Sequence, residues 1–243
     1  MELPAKNEFF KTIWYLIVTS YKTLLEGLGA TLLLAIVGTV GGFLLSFILL
    51  YLKTLKTDQK RDNVFKKILK KIANLFSSLY INVVRGTPMI VQAMIIYYGF
   101  LPLLDWRPLT AGLLIITFNT AAYIAEILRS GVNAIDPGQD EAARSLGFSS
   151  VQAKRYIVYP QAIKNSLPAI GNEFIVNLKD SSVLFAIGVM ELYTSGRAAS
   201  SASLRTIEAY MIVAVIYLIL TLATTKLIDY LEKRRNKGGL ELA

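Results

Sequence analysis

The 243-residue chain contains no cysteine and no histidine. The first absence excludes disulfides, thiolate metal sites and a cysteine nucleophile; the second removes the commonest metal ligand and general base. No glycine is followed by lysine, so the pattern G-x-x-x-x-G-K-[ST] is missing and nucleotide is not held here in a P-loop. Energy from ATP must then come from another subunit. Acids are scarce as well, 17 against 26 lysines and arginines, for a formal charge of +9. In a water-soluble protein that surplus points to nucleic acid. Here 54% of the residues are hydrophobic, 18% are charged and the mean hydropathy is +0.49, so the surplus meets a membrane surface instead and no nucleic-acid partner is expected.

A spanning helix needs roughly 20 mostly apolar residues to cross about 30 Å of hydrocarbon. Five segments qualify: 28–52, which is free of charge; 87–104, somewhat short; 109–128; 168–192, interrupted by Glu173, Lys179 and Asp180; and 207–231, apolar until Lys226. The expected fold is all-α, a polytopic membrane protein of five transmembrane helices in one domain covering 1–243. Five spans put the termini on opposite sides. Lysine and arginine concentrate between the first two spans (Lys53, Lys56, Lys60, Arg61, Lys66, Lys67, Lys70, Lys71, Arg85), between the third and fourth (Arg129, Arg144, Lys154, Arg155, Lys164) and in the tail (Lys226, Lys233, Arg234, Arg235, Lys237). The other side has only Lys6, Lys11, Lys22, Arg107, Arg197 and Arg205. Short basic loops stay in the cytoplasm, which places the N-terminus outside and the C-terminus, 232–243, inside.

The first 25 residues lack the basic start and small-residue cleavage site of a signal peptide. Residues 9–25 mix apolar side chains with Lys11 and Lys22, and Trp14, Tyr15 and Tyr21 suit a membrane interface, so 1–26 reads as an N-terminal interfacial segment; a sixth span competes with that reading. Between Asp62 and Asn82, apolar residues recur at helical spacing among lysines, the pattern of an amphipathic surface helix.

The segment 129–165 is too polar to span. Asp136 and Pro137 are an N-cap and first helical residue, Asp140 and Glu141 follow where acids favour the helix dipole, and Gly147 is placed to end the helix. Ser149 or Ser150 caps a second helix, which Pro160 ends or kinks. Glu141, Ala142 and Ala143, then Gly147, Ile157 and Pro160, reproduce the loop motif E-A-A, three residues, G, nine residues, I-x-L-P; Tyr159 stands where leucine is usual. In this motif the chain resembles the membrane permeases of ATP-binding-cassette importers. Val84-Arg85-Gly86-Thr87-Pro88, the run Asn119 to Glu126, Gly171-Asn172-Glu173-Phe174 and Leu178-Lys179-Asp180-Ser181-Ser182 narrow the resemblance to the polar amino-acid branch, with Ser181 where threonine is commoner. The resemblance covers roughly residues 24–232.

What the resemblance implies is a type I importer permease of the cell membrane, working as a homodimer or heterodimer with a second permease copy. The loop 129–165 is then a coupling element seated on a cytoplasmic ATPase dimer. ATP and magnesium belong to that partner and no cofactor to this chain, which carries no catalytic site. An extracytoplasmic binding protein delivers the amino acid, and membrane lipid surrounds the whole.

Charges at membrane depth face protein or water. Glu173, Asn177 and Asp180 are spaced i, i+4, i+7, on one helix face, and form a candidate substrate stripe. Lys179, about 100° away, either pairs with Asp180 or meets a substrate carboxylate. Arg85 either contacts a carboxylate at a broken helix start or snorkels to the interface. Asn119, Thr120, Glu126 and Gln92 point inward or join helices, and Gly38 and Gly42 suit close helix packing. Two other classes remain open at this point: a membrane sensor or anchoring subunit that docks a partner through the same loop, and an ion-driven secondary transporter. The acidic stripe argues against the first; the lack of a repeated half and of a histidine argues against the second.

Overall fold

The computed structural model describes residues 3–5, 7–55, 57 and 62–240, with side chains described as far as 234. The orientation argument from Lys6, Lys56, Lys60 and Arg61 therefore falls outside the described residues, as do 241–243 and the side chains of Arg235 and Lys237. Among the described residues every regular element is helical: α1 (Phe9–Thr54), α2 (Val64–Gly86), α3 (Met89–Leu104), α4 (Pro108–Asn133), α5 (Pro137–Ser145), α6 (Ser150–Ala153), a π-turn (Lys154–Val158), α7 (Tyr159–Asp180), a 3-10 turn (Ser181–Ile187), α8 (Leu192–Ser203) and α9 (Thr206–Leu240).

By length and composition α1, α4 and the stretch Thr206–Arg234 of α9 suffice to cross a membrane, and α2 with α3 passes the same test as a bent pair, giving up to four. The short second span thus starts from a break, where Thr87 is extended at φ −127° and ψ 147° before Pro88. Alone, the 16 residues of α3 reach about 24 Å. The expected span 168–192 is not one helix: α7 begins at Tyr159 and ends at Asp180, and it is not among the helices that pass this test of length and composition, so the count among the described residues is three or four rather than the expected five. Pro160 does not terminate a helix, because the five-residue π-turn before it widens the backbone enough to take the proline ring and its missing N–H.

The chain forms two compact units. The first holds the chain up to Gly38, Met89–Ile116 and everything from Phe174. Its cores are Leu34, Ala93, Tyr97, Ala111, Ile115, Ile116, Leu184, Ile187 and Val189, and a second cluster of Leu16, Leu24, Leu192, Ala199, Ala209, Ile212 and Val213. The expected boundary at residue 26 is not a break: α1 runs unbroken for 46 residues, about 70 Å. Glycine at 27 serves close packing instead. A Cβ there would lie 2.1 Å from Ser195 Oγ and 2.8 Å from the Glu191 carbonyl oxygen, whereas one at Gly29 would meet nothing within 4 Å. Gly27→Ala is expected to destabilise by about 1–3 kcal/mol and Gly29→Ala to be neutral or stabilising by up to about 1 kcal/mol, compared by thermal unfolding in detergent. Equal melting temperatures would contradict this packing.

The second unit comprises Thr39–Pro88 and Thr117–Glu173. Leu49, Ile81, Ala121, Ala122 and Ala125 form one core, and Ile124, Leu128 and Ile170 another. Helix α2 attaches to this unit by polar contacts: Ser77 Oγ donates to the Leu49 carbonyl at 2.7 Å, the Tyr80 hydroxyl to the Phe118 carbonyl at 2.7 Å, and the Asn74 amide to the Lys53 carbonyl. Its apolar side points outward, in keeping with the amphipathic reading.

Candidate transport site and docking loop

The loop elements form as their residues dictate. Asp136 caps α5 by accepting the Gly138 amide at 2.8 Å, with Pro137 in the first turn. Gly147, at φ +91°, closes the helix: its amide donates to the Arg144 carbonyl at 3.0 Å and that of Phe148 to the Ala143 carbonyl at 3.2 Å, the paired bonds of a Schellman end. Ser149 and Gln152 make a reciprocal capping box, at 2.8 and 3.3 Å, for α6. Leu146 and Val151 are left largely exposed, at 81% and 74%. Of the motif residues, Ala143 is buried while Glu141, Ala142 and Gly147 are exposed, so α5 presents one side outward.

An open cleft of about 500 Å³ in the second unit is lined by Arg85, Tyr123, Glu126, Ser130, Asn165, Ser166 and Glu173, among others. Its electrostatics centre on Glu126. That carboxylate accepts from Arg129 Nε at 3.0 Å and from the same guanidinium's terminal nitrogen, lies 3.4 Å from Lys53 Nζ, and lies 3.8 Å from Arg85. One carboxylate thus gathers cations from the ends of α1 and α2 and from its own helix. Arg85 also lies over the Tyr123 ring, 5.6 Å from its centroid, and stays 41% exposed. The Glu126 partners were not legible, although its i, i+3 spacing from Arg129 was a signal for half of the cluster.

The structure brings Arg85 and Glu173 to this cleft. The other candidates are placed differently. Asn119 and Thr120 are buried, and Thr120 lies where a Cβ on Gly42 would come within 2.9 Å, the close packing expected of that glycine. In the first unit Asn177 is buried beside Gly38, Asp180 and Gln92 are half-buried, and Lys179 is exposed. No ion pair joins Lys179 to Asp180 among the described residues, since adjacent positions on a helix diverge by about 100°.

Reading by pattern missed Glu191. It is fully buried, and its carboxylate accepts the amides of Tyr193 and Thr194, both at 2.8 Å, the Thr194 hydroxyl at 2.9 Å and the Tyr217 hydroxyl at 3.0 Å. It caps α8. The available signal was an acid followed by Leu-Tyr-Thr-Ser at the end of an apolar run.

Long apolar helices, a polar cleft and a capped polar hairpin define a multi-pass helical membrane permease. A family model described as the inner membrane component of binding-protein-dependent transport systems matches residues 67–237, and the chain belongs to that family. It is 36% identical over 232 residues to the probable amino-acid permease protein YxeN of Bacillus subtilis, covering 92% of this chain and 96% of that one. It is 36% identical over 225 residues to the glutamine transport system permease protein GlnP of Escherichia coli, covering 91% and 96%. Among solved structures, an amino acid ABC transporter crystallised with histidines matches at 37% identity and a TM-score of 0.82, covering 95% of this chain and all of that one. The protein is therefore a membrane permease of the ATP-binding-cassette importer type, a transport component of the inner membrane.

Proposed function

We propose that the chain moves a polar L-amino acid into the cytoplasm, driven by ATP hydrolysed in a partner. The observation that carries this reading is the placement of Arg85 and Glu173 on one cleft, because opposite charges suit a zwitterion: a guanidinium for the α-carboxylate and a carboxylate for the α-ammonium. The full-length likeness to amino-acid permeases supports it. Asn177 and Asp180, together with Lys179, Asn119 and Gln92, are further candidates for the path.

In this reading α5 and the turn after Gly147 dock on a cytoplasmic ATPase dimer, which binds ATP and magnesium. A second permease copy completes the pathway, an extracytoplasmic binding protein delivers substrate, and the N-terminus lies outside with the C-terminus inside. Co-purification in mild detergent followed by mass spectrometry tests the class: a P-loop ATPase at one-to-one ratio is expected. Recovery of the chain alone, or ion-dependent uptake without an ATPase, would favour the sensor or secondary-transporter classes.

Asp180→Asn is expected to lower ATP-driven uptake about tenfold in proteoliposomes containing the ATPase and binding protein, with assembly intact. Unchanged uptake across a panel of amino acids would remove Asp180 from the pathway.

A further inference from the structure

Outside the transport cleft, a second cleft of about 560 Å³ opens between the end of α1 and the first half of α2, lined by Leu55, Lys67, Ile68, Lys70, Lys71 and Asn74 among others. The lysines are spaced i, i+3, i+4 and so share one helix face. Helix α2 contains four lysines and Arg85 and no acid in its 23 residues. Asp62, just before the helix, accepts from Lys70 at 2.6 Å. Along the edge of the cleft next to Lys67 and Lys71 runs an apolar stripe of Ile68, Ile72, Leu75 and Leu79, spaced i, i+4, i+7, i+11 and each more than half exposed.

We propose that this cleft is a binding site for the headgroup of an anionic phospholipid, whose acyl chains lie along the apolar stripe of α2. Charge selects the headgroup, since three lysines, of which Lys70 is held by Asp62, line a cleft whose remaining wall includes Leu55, Ile68 and Leu75. The stripe selects a lipid over a soluble phosphate or a nucleic acid, because those ligands leave these four large apolar side chains in water. The inference rests on the membrane location of the family and is independent of which solute is carried.

The test is native mass spectrometry of the full-length protein in mild detergent with equimolar phosphatidylglycerol and phosphatidylcholine. Bound phosphatidylglycerol is expected to exceed phosphatidylcholine at least about fivefold. That preference is expected to vanish in Lys67→Gln/Lys70→Gln/Lys71→Gln and to fall in Lys67→Gln/Lys71→Gln, which leaves the Lys70–Asp62 pair intact. It is expected to persist in Lys226→Gln/Lys233→Gln, which removes charge from α9. Equal retention of the two lipids, full retention by both α2 variants, or equal loss in the α9 variant would overturn the site. Displacement by millimolar inorganic phosphate would show an anion site without a lipid, and a second protein chain lost with the same lysines would show a protein interface; either overturns the proposal. Uptake is not the readout, so failure here leaves the amino-acid reading standing, and failure of that reading leaves this one.

Discussion

Glu191→Ala is expected to lower the stability of the first unit by about 2–4 kcal/mol, read as a fall in melting temperature of roughly 5–15 °C in detergent. The substitution removes the acceptor of two backbone amides, those of Tyr193 and Thr194, and of the Thr194 and Tyr217 hydroxyls, in a place with no exposure to solvent. Buried donors without partners keep the desolvation cost and lose the compensating bond. The damage extends beyond α8. The Leu192 amide donates to Thr31 Oγ at 3.2 Å and Ser195 Oγ donates to the Thr23 carbonyl at 2.8 Å, so a displaced helix start also releases its grip on α1. Tyr217→Phe, which removes one of the four donors, is expected to cost about 1 kcal/mol. Glu191→Gln keeps an acceptor oxygen and is expected to fall between the two. A melting temperature of Glu191→Ala within about 2 °C of the parent would show that the cap contributes little.

The second large effect is on coupling. Gly147→Asp is expected to leave the protein folded and assembled in the membrane yet reduce ATP-driven uptake more than tenfold, while ATP hydrolysis by the partner continues. The local argument is that Gly147 has a positive φ of +91°, where a side chain costs about 1 kcal/mol and aspartate is among the better tolerated residues. A Cβ there meets nothing of this chain within 4 Å. Large functional damage with small structural damage would therefore place the new carboxylate against a partner surface. Gly147→Asn, of nearly the same shape without the charge, separates crowding from electrostatics. Normal uptake by Gly147→Asp would remove the turn from the docking surface.

Much of this architecture was legible because it is local. The apolar runs, the Asp136–Pro137 helix start, the glycine stop at 147 and the serine cap at 149 are each decided within a few residues by hydrogen bonding and φ, and each is found in the structure. What pattern misjudged was punctuation. The segment 1–26 was expected to stand apart and Pro160 to end or kink a helix, yet α1 runs on through Gly27, whose missing Cβ leaves room for the Glu191 carbonyl, and the helix runs on through Pro160 after a π-turn. The exposed Lys179 and the 3-10 turn after Asp180 were equally outside the reach of periodicity.

The sequence by itself determined the solvent, the helical class, the absence of cysteine, histidine and P-loop chemistry, and the capped polar hairpin, since composition and short-range spacing decide these. Tertiary structure alone decided which charges meet. Lys53 and Arg85 reach Glu126 from 73 and 41 positions away, and Glu191 reaches Tyr217 across 26. Such pairings depend on how helices pack, and low dielectric surroundings, which make an unpartnered charge costly, turn that packing into a selection of partners.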